Sequence, residues 1–145
     1  MSTRILSIRN AIYAMSLAAC SITACGQREV SYNRDINPIF QTNCAICHTQ
    51  GGAGYSQSGF SVATYQDVMK GTRYGPVVSP GSSVGSTLVR LVKHQADETI
   101  NMPKNYTIDL AAHDNIIMPG NNARRLPERE IELITKWVDQ GAKNN

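Results

Sequence analysis

Cys44-Ala45-Ile46-Cys47-His48 is the stretch of this sequence that decides the fold. The two thiols lie three positions apart, about one helical turn, and an imidazole follows the second thiol directly. Thiols at this distance can reach the two vinyl groups of one porphyrin and form thioethers, and the imidazole is then carried under the iron. C-x-x-C-H is the attachment pattern of c-type haem. We therefore predict one covalent haem c, carried by Cys44 and Cys47, with His48 as its proximal iron ligand.

Three other interpretations of this stretch are less consistent with the sequence. A structural zinc site needs four ligands, and the remaining cysteines, Cys20 and Cys25, lie in the N-terminal segment. A thioredoxin-like dithiol needs a strand–helix setting, which the preceding residues do not supply. A disulfide between Cys44 and Cys47 leaves His48 without a role. Covalent haem accounts for all three side chains.

The N-terminus has the pattern of an export signal. Arg4 and Arg9 precede an apolar run over residues 11–24, which is shorter than the about 20 residues of a membrane-spanning helix. Small residues stand before both Cys20 and Cys25, as at bacterial lipoprotein processing sites. We favour lipidation of Cys25, because this leaves a full-length apolar run and a polar segment follows. Cys20 is the second candidate, and an ordinary signal peptide is the alternative.

This interpretation divides the chain into a signal peptide (1–24), a short linker (25–34) and one domain (35–145). A net charge of +3 for the whole chain includes Arg4 and Arg9, so the mature protein is nearly neutral. The sequence contains no basic stripe, aromatic ladder or nucleic-acid motif, and we expect no nucleic-acid partner. We predict a periplasmic protein anchored to a membrane by lipid. Because Gly26 follows Cys25, the outer membrane is mildly favoured.

Cap and periodicity patterns predict four helices after an extended segment at 30–35. The first begins at Asn37 and Pro38 and runs into the Cys motif, and residues 50–59 then form a loop. Further helices are predicted over 65–70, over 85–93 with Ser82 or Ser83 as cap, and from Pro127 to Gly141. The inward positions expected for the last two helices are listed here: Val84, Leu88, Leu91, Val92, Ile131, Ile134, Trp137 and Val138.

Motifs along the rest of the chain resemble a known group, the monohaem class I-like c-type cytochromes, and particularly the planctomycete-type cytochrome c domain. The motifs are Asp35-Ile36-x-Pro38-Ile39-Phe40 before the Cys pair, Gly59-Phe60-Ser61-Val62-x-x-Tyr65, Met69-x-Gly71, Gly75-Pro76-Val77-Val78-x-Pro80-Gly81, Ser86-x-Leu88, Met118-Pro119, and the segment Glu130 to Ala142. The resemblance implies an all-α bundle around the haem, with crossing first and last helices. It also implies one-electron transfer.

The resemblance also implies a methionine as the sixth iron ligand. The family places a Met-Pro pair shortly before the last helix, and this chain has two such pairs, Met118-Pro119 and Met102-Pro103. Met118 stands 13 residues before Ile131 and is favoured, with Met102 as the second candidate. Ligation by His113 or an open sixth position are the alternatives, whereas a surface or capping role is expected for His94. The segment 95–117 is longer than the corresponding segment of the family pattern.

Contacts to the rest of the haem are predicted less directly. By the resemblance, the backbone of Pro76 is the candidate acceptor for the other ring N–H of His48. Arg73, Tyr74 and Arg124 are candidates for contacts to the haem propionates, and a solvated surface role is equally open for each.

The function expected from these residues is a shuttle for single electrons between a donor and an acceptor protein, with no catalytic residue of its own. The chain would act as a monomer or as a subunit of a respiratory complex. Two rivals stay open: a haem enzyme or sensor for gas or peroxide with a weak sixth ligand, and a fixed cytochrome subunit of a dehydrogenase or oxidase. Iron ligation by Met118 distinguishes the first rival from the shuttle.

Overall fold

The computed structural model describes residues 28–109 and 116–145, with the backbone alone for 106–109 and 116–123. Its elements in chain order are a π turn at Tyr32–Ile36, α1 at Asn37–Asn43, α2 at Ala53–Ser58, α3 at Tyr65–Lys70, α4 at Thr87–Val92, β1 at Lys104–Asp109, β2 at Ile116–Ala123, and α5 at Glu128–Asp139. The domain is small and mostly helical. No helix within the described ranges is long and apolar enough to cross a membrane.

The all-α expectation is corrected by a two-stranded antiparallel hairpin, β1–β2, in which Thr107 lies opposite Met118. Strand β1 and the first two residues of β2 fall in 95–117, the stretch that is longer than the family pattern. Its strands contain Tyr106, Thr107, Ile116 and Ile117, and aromatic and β-branched residues of this kind favour extended backbone.

The first helical segment begins earlier than its Asn-Pro pair predicts. The side chain of Ser31 accepts the N–H of Arg34 at 3.3 Å, and the Ser31 N–H donates to Asp35 at 2.9 Å. These bonds start a π turn at Tyr32, so most of the segment predicted as extended is helical. Pro38, which has no N–H to donate, then falls in the first turn of α1, where this is tolerated.

The other predicted helices differ in how closely they match. Helix α3 has the predicted bounds, with Thr64 accepting the N–H of Asp67 at 3.1 Å. Helix α4 starts only at Thr87, and Val84 is 87% exposed, so its predicted inward position is wrong. Ser83 does not cap α4, because its N–H and hydroxyl donate instead to Asp139 on α5.

An aromatic core holds the two ends of the domain together. Trp137 on α5 is fully buried, and its ring lies 5.7 Å from that of Tyr32, 6.3 Å from Phe40 and 6.5 Å from Tyr65. Phe40 is one turn before the Cys motif, and its carbonyl accepts the N–H of Cys44 at 2.9 Å. The core therefore fixes the end of α1 from which the motif projects.

Residues 28–34, which the sequence assigns to a linker, pack against the domain. Val30 and Tyr32 are buried, and the Val30 N–H donates to the side chain of Gln140 at 2.8 Å. The signal peptide and both candidate lipidation cysteines, Cys20 and Cys25, lie outside the described residues.

Candidate haem-binding site

The Cys motif continues α1 as a series of turns. The N–H groups of Cys47 and His48 both donate to the carbonyl of Cys44, at 3.1 and 2.9 Å. The chain then returns through α2, where the N–H of Tyr55 donates to the carbonyl of Cys47 at 2.8 Å. The backbone on both sides of the two thiols is thus fixed by hydrogen bonds.

The motif borders a crevice that consists of two adjoining cavities of about 70 and 130 Å³. Both cavities are lined by Cys44, His48, Met102 and Pro103. Cys47 lines the smaller one. The larger cavity is strongly apolar on the side away from the motif, where its lining residues are Phe60, Val77, Leu88, Leu91 and Val92. An apolar crevice with a few convergent ligand groups is the usual form of a cofactor site.

His48 is oriented through its Nδ1 atom, which lies 3.2 Å from the carbonyl oxygen of Phe60. A carbonyl can only accept, so Nδ1 carries the hydrogen and Nε2 keeps a free lone pair for a metal. Burial lowers the pKa of His48, and the bond to Phe60 opposes this shift. The acceptor is therefore Phe60 and not Pro76, where the family resemblance placed it.

Gly54 on α2 keeps the space beside Nε2 free of side-chain atoms. A Cβ at this position would lie 2.8 Å from Nε2 and 2.6 Å from Cε1 of His48. The free Nε2 lone pair, the two thiols and the apolar lining all suit a covalent haem, so the residues present fit the group. Cys44 and Cys47 would hold its periphery and His48 its iron.

Cys44 and Cys47 are both free thiols and do not form a disulfide. Burial raises the pKa of the Cys44 thiol to about 12, although the nearby charge of Arg124 acts in the opposite direction. Burial also raises the pKa of Cys47. Within the described ranges, no three side chains of His, Cys, Asp or Glu form a cluster that could hold a metal ion. The free thiols do not favour a disulfide, and the described residues do not favour a zinc site.

The three candidates for propionate contacts occupy different places. Arg124 donates to the side chain of Asn43 at 2.8 Å, beside Cys44. Arg73 donates to the carbonyl of Ser56 at 2.6 Å, and Tyr74 is 84% exposed. The side chain of Arg124 thus bonds a residue of the crevice, whereas Tyr74 reaches the crevice residue Thr72 only through its backbone N–H. None of the three lines the two cavities.

Several crevice residues were not identified from the sequence. Helix α2 was predicted as a loop, because its surroundings are rich in glycine and serine. It contributes Ala53, Gly54 and Gln57 to the smaller cavity, which Lys104 also lines. The carbonyl acceptor on Phe60 could have been suspected, since Gly59-Phe60 is one of the motifs. Lys104 has no such signal.

The two candidate methionines are placed differently. Met102 is half-buried and lines both cavities. Met118 lies on β2 opposite Thr107, and its side chain is outside the described residues. His113 also lies outside them. His94, two residues after the end of α4, has a left-handed φ of 56°, and its buried Nε2 has no hydrogen-bond partner among the described residues.

Comparisons with known proteins find similarity over the stretch that contains this site. Residues 44–105 match the model of the planctomycete cytochrome C family. Over 136 residues the chain is 26% identical to hydrazine synthase subunit alpha of Kuenenia stuttgartiensis, covering 81% of this chain and 16% of that protein. A solved structure of Kuenenia stuttgartiensis hydrazine synthase is similar in fold, with a TM-score of 0.51 and 22% identity over 83% of this chain. The chain thus spans about one sixth of the length of these relatives.

Proposed function

We propose that the chain is a monohaem cytochrome c that passes single electrons between redox partners. The match of residues 44–105 to the planctomycete cytochrome C family supports the cytochrome assignment. The observation that supports this most directly is the convergence of both thiols and His48 on one crevice, with Nδ1 of His48 committed to Phe60. The family match supports the assignment of a c-type cytochrome domain. Electron transfer is the part that we propose.

The bound haem would supply the one-electron change at its iron. The chain's own residues have three tasks. The bond from Nδ1 of His48 to Phe60 fixes the tautomer and the ring orientation and makes the ligand more basic. The aliphatic side chains of the larger cavity exclude water, which changes the relative stability of the two charge states of the iron. The two thioethers keep the haem in the crevice through repeated oxidation and reduction.

The test uses full-length protein matured in a host with a cytochrome c assembly system. Intact-protein mass spectrometry should show one added haem, and the double variant Cys44→Ala/Cys47→Ala should show none. The ferric and ferrous spectra should interconvert through a single one-electron wave with a redox protein or dye. A wild-type protein of bare polypeptide mass would contradict the cytochrome assignment.

The leading alternative is a haem enzyme or a sensor of gas or peroxide with an open sixth position. Ferrous protein that binds CO readily, together with peroxide turnover, would favour it over the shuttle. Ferrous protein that excludes CO would favour the shuttle.

A second candidate is a cytochrome module that works inside a larger assembly. It is favoured by the similarity to a segment of a much longer protein described as a synthase subunit. Native-size analysis of a detergent extract distinguishes the two: a lone small species supports the mobile shuttle, and co-migration with a large complex supports the fixed module.

We also propose that the protein is exported and anchored by lipid at Cys25. The support is the sequence pattern alone, since these positions lie outside the described residues. Mass analysis of the mature N-terminus tests it: cleavage before Cys25 with acyl chains is expected, and cleavage before Cys20 or an unmodified N-terminus contradicts it. If cleavage is at Cys25, few residues separate the anchor from Val30, which is already fixed to the domain.

A further inference from the structure

We infer that Met102, and not the Met118 that the family spacing favours, is the sixth ligand of the haem iron, and that Asn101 is the residue that positions it. This rests on the proposed haem at Cys44, Cys47 and His48. It assigns the sixth iron position, and it assigns a role to the buried polar residue Asn101.

Met102 occupies the place that a sixth ligand requires. It lines both cavities of the crevice, as His48 does, so the thioether and the imidazole border the same space. A thioether is a soft, neutral ligand that raises the reduction potential of a His-ligated haem. The described residues that line the two cavities include no other methionine and no second histidine.

The backbone on both sides of Met102 is fixed to other parts of the domain. The N–H of Met102 donates to the carbonyl of Leu91 on α4 at 3.2 Å, and the carbonyl of Pro103 accepts the N–H of Arg124 at 2.7 Å. Leu91 itself lines the larger cavity. The position of Met102 is therefore determined by the wall of the crevice and by the segment that leads into α5.

Asn101 closes the loop that presents Met102. Its side-chain amide bonds both backbone groups of Ala96, accepting the N–H at 3.2 Å and donating to the carbonyl at 3.2 Å. The N–H of Asn101 donates to the carbonyl of Asp97 at 3.1 Å. Asn101 is 4% exposed, so both of its bonds to Ala96 are shielded from water and would leave unpaired polar groups if broken.

Met118 is the rival that the experiment must separate. Along β2 it is five residues from Ala123, which pairs with Lys104 at the base of the hairpin. A register shift lies between Lys104 and Tyr106, so the distance is shorter along β1: Thr107, opposite Met118, is three residues from Lys104, or about 10 Å at about 3.3 Å per residue. Met102, by contrast, is two residues from Lys104 and is held at the crevice wall.

The test compares three volume-conserving variants of the full-length holoprotein: Met102→Leu, Met118→Leu and Met69→Leu. Leucine retains the apolar volume and removes only the sulfur. Met69 packs against the core and serves as the matched control. Ferric wild type should show the weak long-wavelength sulfur-to-iron absorption band. Met102→Leu should lose this band, show a lower potential and bind CO when reduced, whereas the other two variants should retain the wild-type behaviour.

Haem content by mass spectrometry is measured on every sample, so loss of the cofactor is distinguishable from loss of the ligand. Wild type without haem would defeat the proposed function itself. Wild type with haem but with the band lost only in Met118→Leu would overturn the assignment to Met102. So would a wild-type spectrum of two imidazole ligands, or a band that survives in Met102→Leu.

Asn101→Ala tests the positioning role, with Thr99→Ala as the control from the same loop. Among the described residues, Thr99 bonds the side chain of Asp97 alone, through its N–H and hydroxyl. Asn101→Ala should retain full haem content but weaken the sulfur-to-iron band and allow CO binding, and Thr99→Ala should leave both unchanged. Equal effects of the two variants, or an unchanged band in Asn101→Ala, would contradict a positioning role for Asn101.

Discussion

At position 54 a hydrogen atom in place of a side chain keeps Nε2 of His48 accessible. We predict that Gly54→Ala abolishes iron ligation by His48, because the added Cβ would lie 2.8 Å from Nε2 and 3.0 Å from the carbonyl oxygen of Cys47. Neither the imidazole, held by Phe60, nor the backbone of the motif can easily give way. The measurement is haem per polypeptide after maturation, from mass and absorbance.

Gly85→Ala is the matched control, since the one tight contact of a Cβ there is with the hydroxyl of Ser82 at 3.0 Å, and its next neighbours, Cβ of Ser82 and of Ser79, lie at 3.6 and 3.8 Å. It should mature with wild-type haem content. If Gly54→Ala also matures with haem and an unchanged iron spectrum, the space beside Nε2 is not needed in the form that we describe.

Buried Tyr32 and partly buried Tyr65 both pack against Trp137 and offer a paired test of hydrogen bonding. The hydroxyl of Tyr65 donates to the carbonyl of Ala142 at 2.8 Å, whereas the buried hydroxyl of Tyr32 has no partner among the described residues. Burial raises the pKa of Tyr32. We predict that Tyr65→Phe lowers the free energy of unfolding by about 1 kcal/mol, and that Tyr32→Phe leaves it unchanged or raises it. Urea denaturation of the two variants, followed by Trp137 fluorescence, measures both values. A loss in Tyr32→Phe as large as that in Tyr65→Phe would show that the Tyr32 hydroxyl is satisfied.

At the scale of the element, the π turn that begins the domain depends on a single carboxylate. Asp35 accepts the N–H of Ser31 and bonds the side chains of Arg34 and Arg28. The bond from Arg34, followed by that from Ser31, lowers the pKa of Asp35. A lowered pKa means that the stabilisation is complete above the pKa of the unfolded chain, about 3.9, and is lost as the pH falls through the folded value.

We therefore predict that Asp35→Asn is less stable than wild type at pH 7 by up to about 1 kcal/mol, the usual range for an ion pair near the surface. The difference should be constant from neutral pH to about pH 5 and should shrink at lower pH as Asp35 in wild type becomes protonated. Denaturant unfolding at a series of pH values checks this. A difference that grows as the pH is lowered has the wrong sign and would contradict this account of the turn.

How far the elements could be predicted depended on where their determinants lie. Helix α3 has its determinants in its own sequence, since Thr64 and Asp67 bond each other reciprocally at its start. Helix α2 has no such local signal, because it is stabilised by the bond from Tyr55 to Cys47 and by the close approach of Gly54 to His48. Both contacts are with the preceding motif, so the sequence of the helix itself does not show them.

The residues of the candidate site also differ in how far the sequence alone predicts them. Cys44, Cys47 and His48 could be proposed as haem-binding residues because thioether attachment requires a fixed, short spacing along the chain. The proposed sixth ligand, Met102, and the hydrogen-bond acceptor of His48, the carbonyl of Phe60, lie outside the motif and reach the crevice only in the folded chain. The family resemblance pointed to Pro76 as the acceptor, whereas Nδ1 of His48 bonds the carbonyl of Phe60. For the methionine, the spacing favours Met118 and the crevice lining favours Met102.

The N- and C-terminal segments of the domain meet on residues that line neither haem cavity. The side chain of Gln140 accepts the N–H of Val30 at 2.8 Å, and the carbonyl of Asn145 accepts the N–H of Asn33 at 3.0 Å. We predict that Gln140→Ala lowers the free energy of unfolding by about 1 to 2 kcal/mol, because it leaves the Val30 N–H without its acceptor. The reduction potential should not change, since no ligand or crevice residue moves. Hydrogen exchange should accelerate at Val30 in Gln140→Ala and stay at the wild-type rate at Val62, whose N–H donates to the carbonyl of His48. A potential that shifts together with exchange at Val30 would mean that the ends of the chain and the iron site form one cooperative unit.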